Sequence, residues 1–155
     1  MGSCSKTDLA YIAGFLDGDG SLMMQIKKRS DNGRSRFMLT ICFYQDSRHE
    51  KPLLWIKNKL KIGYISRRND NITELRVNGY AQVGKILKFL YPFIKFKKIQ
   101  AKAILKSVKI LQKKKFLEKD YRKLVDNILI IQSENYVTKK KKTKEELLEV
   151  LGLTP

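Results

Sequence analysis

Alternation of apolar and polar residues with period two, in four separate stretches, constrains this chain more than any other feature. It runs through residues 21 to 29, 36 to 44, 62 to 68 and 72 to 77. Ser30-Asp31-Asn32-Gly33 joins the first two stretches and Asn69-Asp70-Asn71 the last two, both with turn chemistry, so the pattern reads as two β-hairpins. Successive side chains on a strand point to opposite faces. One face therefore gathers Leu22, Met24, Ile26, Phe37, Leu39, Ile41, Phe43, Leu75 and Val77. Such a surface must be covered, and helical spacing supplies the cover at residues 8 to 17 (Leu9, Ile12, Ala13, Leu16, with Thr7 as cap), from Pro52 to near Lys61 (Leu53, Ile56, Leu60) and at about 81 to 90. The order αββαββα defines an α+β chain in which a strand–strand–helix unit occurs twice. Further helices are expected at about 97 to 111, at 119 to 131 and from Thr143, where Glu146 completes capping-box spacing. The 155 residues fit one domain, with a core of about 7 to 131 and a helical tail over 132 to 155.

The opposite sheet face is polar and basic. It carries Ser21, Gln25, Lys27 and Arg29, then Arg36, Thr40 and Tyr44, then Tyr64, Ser66 and Arg68, with Glu74 and Arg76 on the last strand. These side chains can pair with base edges as well as phosphates. Lys plus Arg number 33 against 15 for Asp plus Glu, a formal charge of +18 that favours a polyanionic partner. Nucleic acid is the expectation. A membrane partner is not, because no run approaches the roughly 20 apolar residues needed to span a bilayer and the cations are spread over many elements. Cys4, Cys42 and the single His49 cannot supply a four-ligand zinc set, and two cysteines suggest no disulfide framework.

Residues 10 to 21 concentrate the chemistry. Ala10, Gly14 and Gly18 recur four apart and give the first helix a smooth stripe that admits a second helix backbone. Asp17 and Asp19 close that helix, where the macrodipole disfavours negative charge by roughly 0.3–1 kcal/mol. If two such helices pack about a two-fold axis, each delivers Asp19 to nearly the same point, and divalent cations would remove the repulsion. A calcium loop starting at Asp17 fails, since Leu22 stands where its glycine belongs and Lys28 where its final Glu belongs. Taken alone, Asp-Gly-Asp-Gly is a turn sequence.

Its neighbours are more specific. Tyr11-Ile12-Ala13-Gly14-Phe15-Leu16-Asp17-Gly18-Asp19-Gly20-Ser21 resembles the signature of the LAGLIDADG homing endonucleases, in particular the branch with one motif per chain. The αββαββα order and the segment Tyr91-Pro92-Phe93-Ile94-Lys95-Phe96-Lys97-Lys98-Ile99-Gln100-Ala101 extend the resemblance to about residue 131. It implies a saddle-shaped antiparallel sheet and a homodimer meeting through Ala10, Tyr11, Ala13, Gly14, Asp17 and Gly18. It implies metal bound by the Asp19 carboxylate and the Gly18 carbonyl, with Mg²⁺ as cofactor, Mn²⁺ substituting and Ca²⁺ binding without supporting cleavage. Gln45 would position the attacking water and Lys97 would serve the basic pocket at the scissile phosphate. A second basic residue is expected soon after Gln45, with Arg48 and His49 the candidates. Arg34, in the first turn region, and Lys139 and Lys140 near the C terminus join the sheet face as expected DNA contacts. The implied substrate is a long, nearly palindromic double-stranded DNA site, cut on both strands to leave short 3′ overhangs. The implied setting is an intron-borne gene in an organelle, chloroplast or mitochondrion, with the cytoplasm of a prokaryote as the alternative. Splicing of intron RNA on the same fold and a silent DNA-binding role are the rival readings.

Overall fold

The computed structural model describes residues 4–28, 35–136 and 140–154. The first hairpin turn, with Arg29 and Arg34, lies outside them, as does Lys139. The elements run α1 (Lys6–Asp19), β1 (Gly20–Lys28), β2 (Ser35–Asp46), a 3-10 turn (Ser47–His49), α2 (Lys51–Leu60), β3 (Tyr64–Arg67), β4 (Ile72–Asn78), α3 (Tyr80–Leu90), α4 (Lys98–Leu111), α5 (Glu118–Glu134) and α6 (Lys144–Val150). The expected α+β order is thus present, and the strands form one antiparallel sheet in the order β1-β2-β4-β3.

Register sorts the faces as alternation requires. Leu22 pairs with Ile41 and Met24 with Leu39, while Ile41 pairs with Val77 and Phe43 with Leu75. These side chains are buried and meet Ile12, Ala13 and Leu16 of α1, Leu53 and Ile56 of α2, and Val83 and Leu87 of α3 in one apolar core. Leu147 and Leu148 of α6 join that core, so the C-terminal segment packs back on the rest of the chain. Thr143 and Glu146 form the expected capping box at its start.

Helix α1 differs at both ends from the expectation of residues 8 to 17 capped by Thr7. Its cap is Ser5, whose hydroxyl accepts from the Asp8 amide while the Asp8 carboxylate accepts from the Ser5 amide. At the other end the helix continues through Gly18 to Asp19. Strand β1 then turns back at once. A Cβ on Gly20 would stand 2.7 Å from Leu16 Cδ1 and 2.8 Å from the Leu16 carbonyl oxygen, so glycine alone permits the fold-back that leaves Asp19 at the corner.

Candidate active site and nucleic-acid interface

Asp17 and Asp19 do different things. The Asp17 carboxylate accepts backbone N–H groups from Lys95 (2.6 Å), Phe96 (3.0 Å) and Lys97 (2.9 Å), in the loop that enters α4. The Lys97 ammonium donates back to the Asp17 carbonyl oxygen at 2.5 Å. Within the chain the Asp17 carboxylate is a latch, and this accounts for an anion at the unfavourable end of α1, where a dimer contact was expected. Asp19 is exposed, and among the described residues no hydrogen bond occupies its carboxylate.

The latch places Lys97 at the site. Lys97 is buried, and burial pulls its ammonium below the usual lysine range against the opposing pull of the Asp17 and Asp19 carboxylates. Gln45 reaches the same end of the sheet, because Gly20 pairs with Phe43 and the end of β2 therefore lies beside the start of β1. Gln45 Oε1 accepts from the Asp46 amide at 2.9 Å, which leaves its NH₂ group as the donor end. Asp46 caps the 3-10 turn and binds the Arg48 guanidinium through both carboxylate oxygens, at 3.0 and 2.9 Å. Arg48 beside it brings the Asp46 carboxyl down to about 2. Arg48 is thus already paired, whereas the neighbouring His49 is exposed.

On α1 the small-residue side is open. Ala10, Tyr11, Gly14 and Gly18 are exposed, and a Cβ on Gly14 or Gly18 would meet nothing within 4 Å. Nothing inside the monomer requires glycine at either position. Ala13 corrects the expected interface, because it faces the core and is fully buried. Phe96, 63% exposed beside the Asp17 latch, is not among the expected site residues, because neither its exposure nor its nearness to Asp17, 79 positions away, is visible in the sequence.

Across the polar face, Gln25, Lys27, Arg36, Tyr64 and Arg68 are exposed, and Ser21, Tyr44, Ser66 and Arg76 are partly so. Several are held before any partner arrives. Ser21 and Tyr44 share a hydroxyl hydrogen bond of 2.9 Å, and burial pushes the Tyr44 phenol up to about 12. Glu74 and Thr40 correct the list of direct contacts. Glu74 is 3% exposed and accepts from Arg68 at 3.0 Å and from Arg76 at 2.6 Å, so it aims two guanidiniums outward rather than reading a base itself. Burial pushes the Glu74 carboxyl up, but the Arg76 and Arg68 hydrogen bonds outweigh it and leave the group below its ordinary value. Thr40 is buried and donates to Asn78 at 2.7 Å. Cys42, also on this face and passed over by the alternation, is buried, and burial raises its thiol to about 11. Lys140 is exposed and lines a groove with Lys142, Gln132 and Gln25 at the β1 edge.

Among the described residues no group of three or more His, Cys, Asp or Glu side chains could enclose a metal ion. No described helix is long and apolar enough to cross a membrane.

Comparison with known proteins agrees with this arrangement. The LAGLIDADG endonuclease family matches residues 12–118. DNA endonuclease I-CvuI of Chlorella vulgaris is 34% identical over 105 residues, 66% of this chain and 64% of that protein. DNA endonuclease I-CreI of Chlamydomonas reinhardtii is 31% identical over 108 residues, 69% of this chain and 66% of that protein. In each case the match spans a little under two thirds of the relative's own length. The I-CvuI structure with the I-CreI target, solved with 2 mM Mg and showing uncleaved DNA, superposes with a TM-score of 0.74 at 28% identity over 97% of this chain and 98% of that one. I-CvuI has also been solved with its own target in 2 mM Ca. The archaeal intron-encoded homing endonuclease I-Vdi141I, complexed with DNA, shares the fold with a TM-score of 0.79 at 23% identity, covering 94% of this chain and 95% of that one. With a family match over most of its length and the motif seated at the corner of α1 and β1, this chain belongs to the LAGLIDADG endonuclease family.

Proposed function

We propose that the chain is a homing endonuclease that acts as a homodimer on a long, pseudo-palindromic DNA duplex, hydrolysing both strands with a divalent metal and leaving short 3′ overhangs. The observation that carries this reading is the free Asp19 carboxylate at the end of a helix whose Gly14 and Gly18 side is open, beside a cationic sheet face. Among the described residues one chain offers no group of three acidic, histidine or cysteine side chains to enclose an ion. Two copies packed along the Ala10, Gly14 and Gly18 stripe would bring two Asp19 carboxylates and two Gly18 carbonyls together, a hard oxygen set that fits Mg²⁺, with Mn²⁺ able to substitute. When bound, the metal would lower the pKa of a water and stabilise the leaving oxygen. The chain's own residues do the rest. Gln45 orients the attacking water through its NH₂ group, and Lys97, fixed by the Asp17 latch, offers a cation to the scissile phosphate. Arg48 or His49 supplies the second basic group. Gln25, Lys27, Arg36, Arg68 and Arg76 hold and read the duplex. The same reading places the gene in an organelle, with a prokaryotic cytoplasm as the alternative.

The test is cleavage of a randomised duplex library in Mg²⁺, with Ca²⁺ as the binding-only control and cut ends read by sequencing. Cuts at one pseudo-palindromic sequence with 3′ overhangs are the expected result. A folded protein that leaves every duplex intact yet binds intron RNA would replace this reading with the splicing one.

A further inference from the structure

The turn that carries Arg48 and His49 is held from beneath by a cluster that the mechanism above does not use. Glu50, directly after the 3-10 turn, receives the Arg67 guanidinium through both oxygens, Nε at 3.0 Å and the terminal nitrogen at 2.6 Å. The same carboxylate accepts the Thr73 hydroxyl at 2.8 Å, and Thr73 is fully buried. Ser47, at the other end of the turn, bonds the Thr73 hydroxyl at 2.9 Å, and its amide donates to the Asn71 carbonyl oxygen at 2.8 Å. Thr73 and Arg67 are cross-strand partners in the β3–β4 hairpin, on the face opposite Glu74. Next to Arg67 in sequence, Arg68 reaches Glu74 on the DNA-facing side. The hairpin that presents Arg68 to DNA thus also holds the turn that presents Arg48 and His49.

We infer that Glu50 is a positioning residue for cleavage, its carboxylate fixing the Ser47–His49 turn to the β3–β4 hairpin through Arg67 and Thr73, so that seating of the hairpin on DNA sets the geometry of the catalytic turn. The inference rests on the endonuclease reading. An exposed ion pair adds little to stability. A carboxylate tied at once to a guanidinium and a buried hydroxyl does limit where its neighbours can stand, and reacting groups displaced by about 1 Å can lose on the order of a hundredfold in rate.

Glu50→Ala, Arg67→Ala and the double variant, compared with wild type on the duplex recovered from the library, test it. Single-turnover cleavage in Mg²⁺ should slow about ten- to a hundredfold in each variant, with the double no slower than Glu50→Ala, because Arg67 acts on the turn through Glu50. Affinity for the duplex in Ca²⁺ should stay close to wild type, and the slower cleavage should persist at temperatures well below the lowered thermal midpoint of each variant, a split that a merely structural role would not give. Amide exchange at Ser47 should quicken in Glu50→Ala protein without DNA. Wild-type cleavage rates in folded Glu50→Ala, or losses that only track affinity or thermal midpoint, would overturn the inference. A wild type that cuts nothing would overturn the endonuclease reading instead, and Ser47 exchange would then decide whether Glu50 holds the turn.

Discussion

Replacing Asp17 with Ala should unfold the site from the inside, whereas replacing Asp19 with Asn two residues later should leave stability untouched. The Asp17 carboxylate accepts amides at 2.6, 3.0 and 2.9 Å from Lys95, Phe96 and Lys97. Hydrogen bonds to a charged group contribute about 1.5–3 kcal/mol each, which sets an upper bound. The Lys95 and Phe96 amides lie in exposed surroundings and water can replace the carboxylate there, while the Lys97 amide is part-buried. The net cost of Asp17→Ala is then about 2–3 kcal/mol, or a thermal midpoint lower by roughly 4–12 °C for a chain of this size. Urea denaturation at fixed pH is the assay, with the midpoint falling at constant slope. Asp19→Asn removes no hydrogen bond of the described structure and should stay within about 0.5 kcal/mol of wild type. Equal stability of Asp17→Ala and wild type, or equal destabilisation by the two variants, would refute the assignment of latch and ligand.

Three other outcomes are expected. Gly14→Leu has open space in the monomer, so the chain should fold normally but sediment at the monomer mass; an unchanged dimer mass would contradict the packing. DNA affinity should fall linearly on a log–log plot against salt with slope of about −0.9 per neutralised phosphate, and a flat line would remove the cationic face from binding. Asp46, Glu50 and Glu74 titrate below their ordinary carboxyl values in the fold, with Asp46 moving from 3.8 to about 2. Their stabilisation is complete above the unfolded carboxyl range and is lost as pH falls through the folded values, so stability should decline between pH 3.8 and about 2 by the Asp46 contribution. A stability that rose on acidification through that window would reverse the sign.

Much of this was legible in the sequence because strand alternation reports a face without reference to distant residues. Leu22, Ile41 and Val77 on one side and Gln25, Arg36 and Arg76 on the other lie where their parity puts them. The motif likewise placed Asp19, because a helix end followed by glycine is a local event. What sequence could not give was pairing at a distance. Asp17 looked like Asp19 until the loop at Lys95, about eighty positions later, supplied three amides. Ala13 fits the small-residue stripe by size, but its position around α1 turns it to the core. Glu74 has the right parity for the reading face, yet two flanking arginines bury it as their common acceptor. The Ser5 cap was missed because Thr7 is the nearer residue to the apolar pattern, while the partner that decides the cap is Asp8.

The most direct test of the central claim compares Asp19→Asn with wild type on the duplex recovered from the library, measuring cleavage in Mg²⁺ and affinity in Ca²⁺ on the same preparations. The account predicts that the variant cuts neither strand while binding the site with nearly wild-type affinity as a folded dimer. Cleavage by Asp19→Asn at the wild-type rate would contradict it and remove this carboxylate from the chemistry.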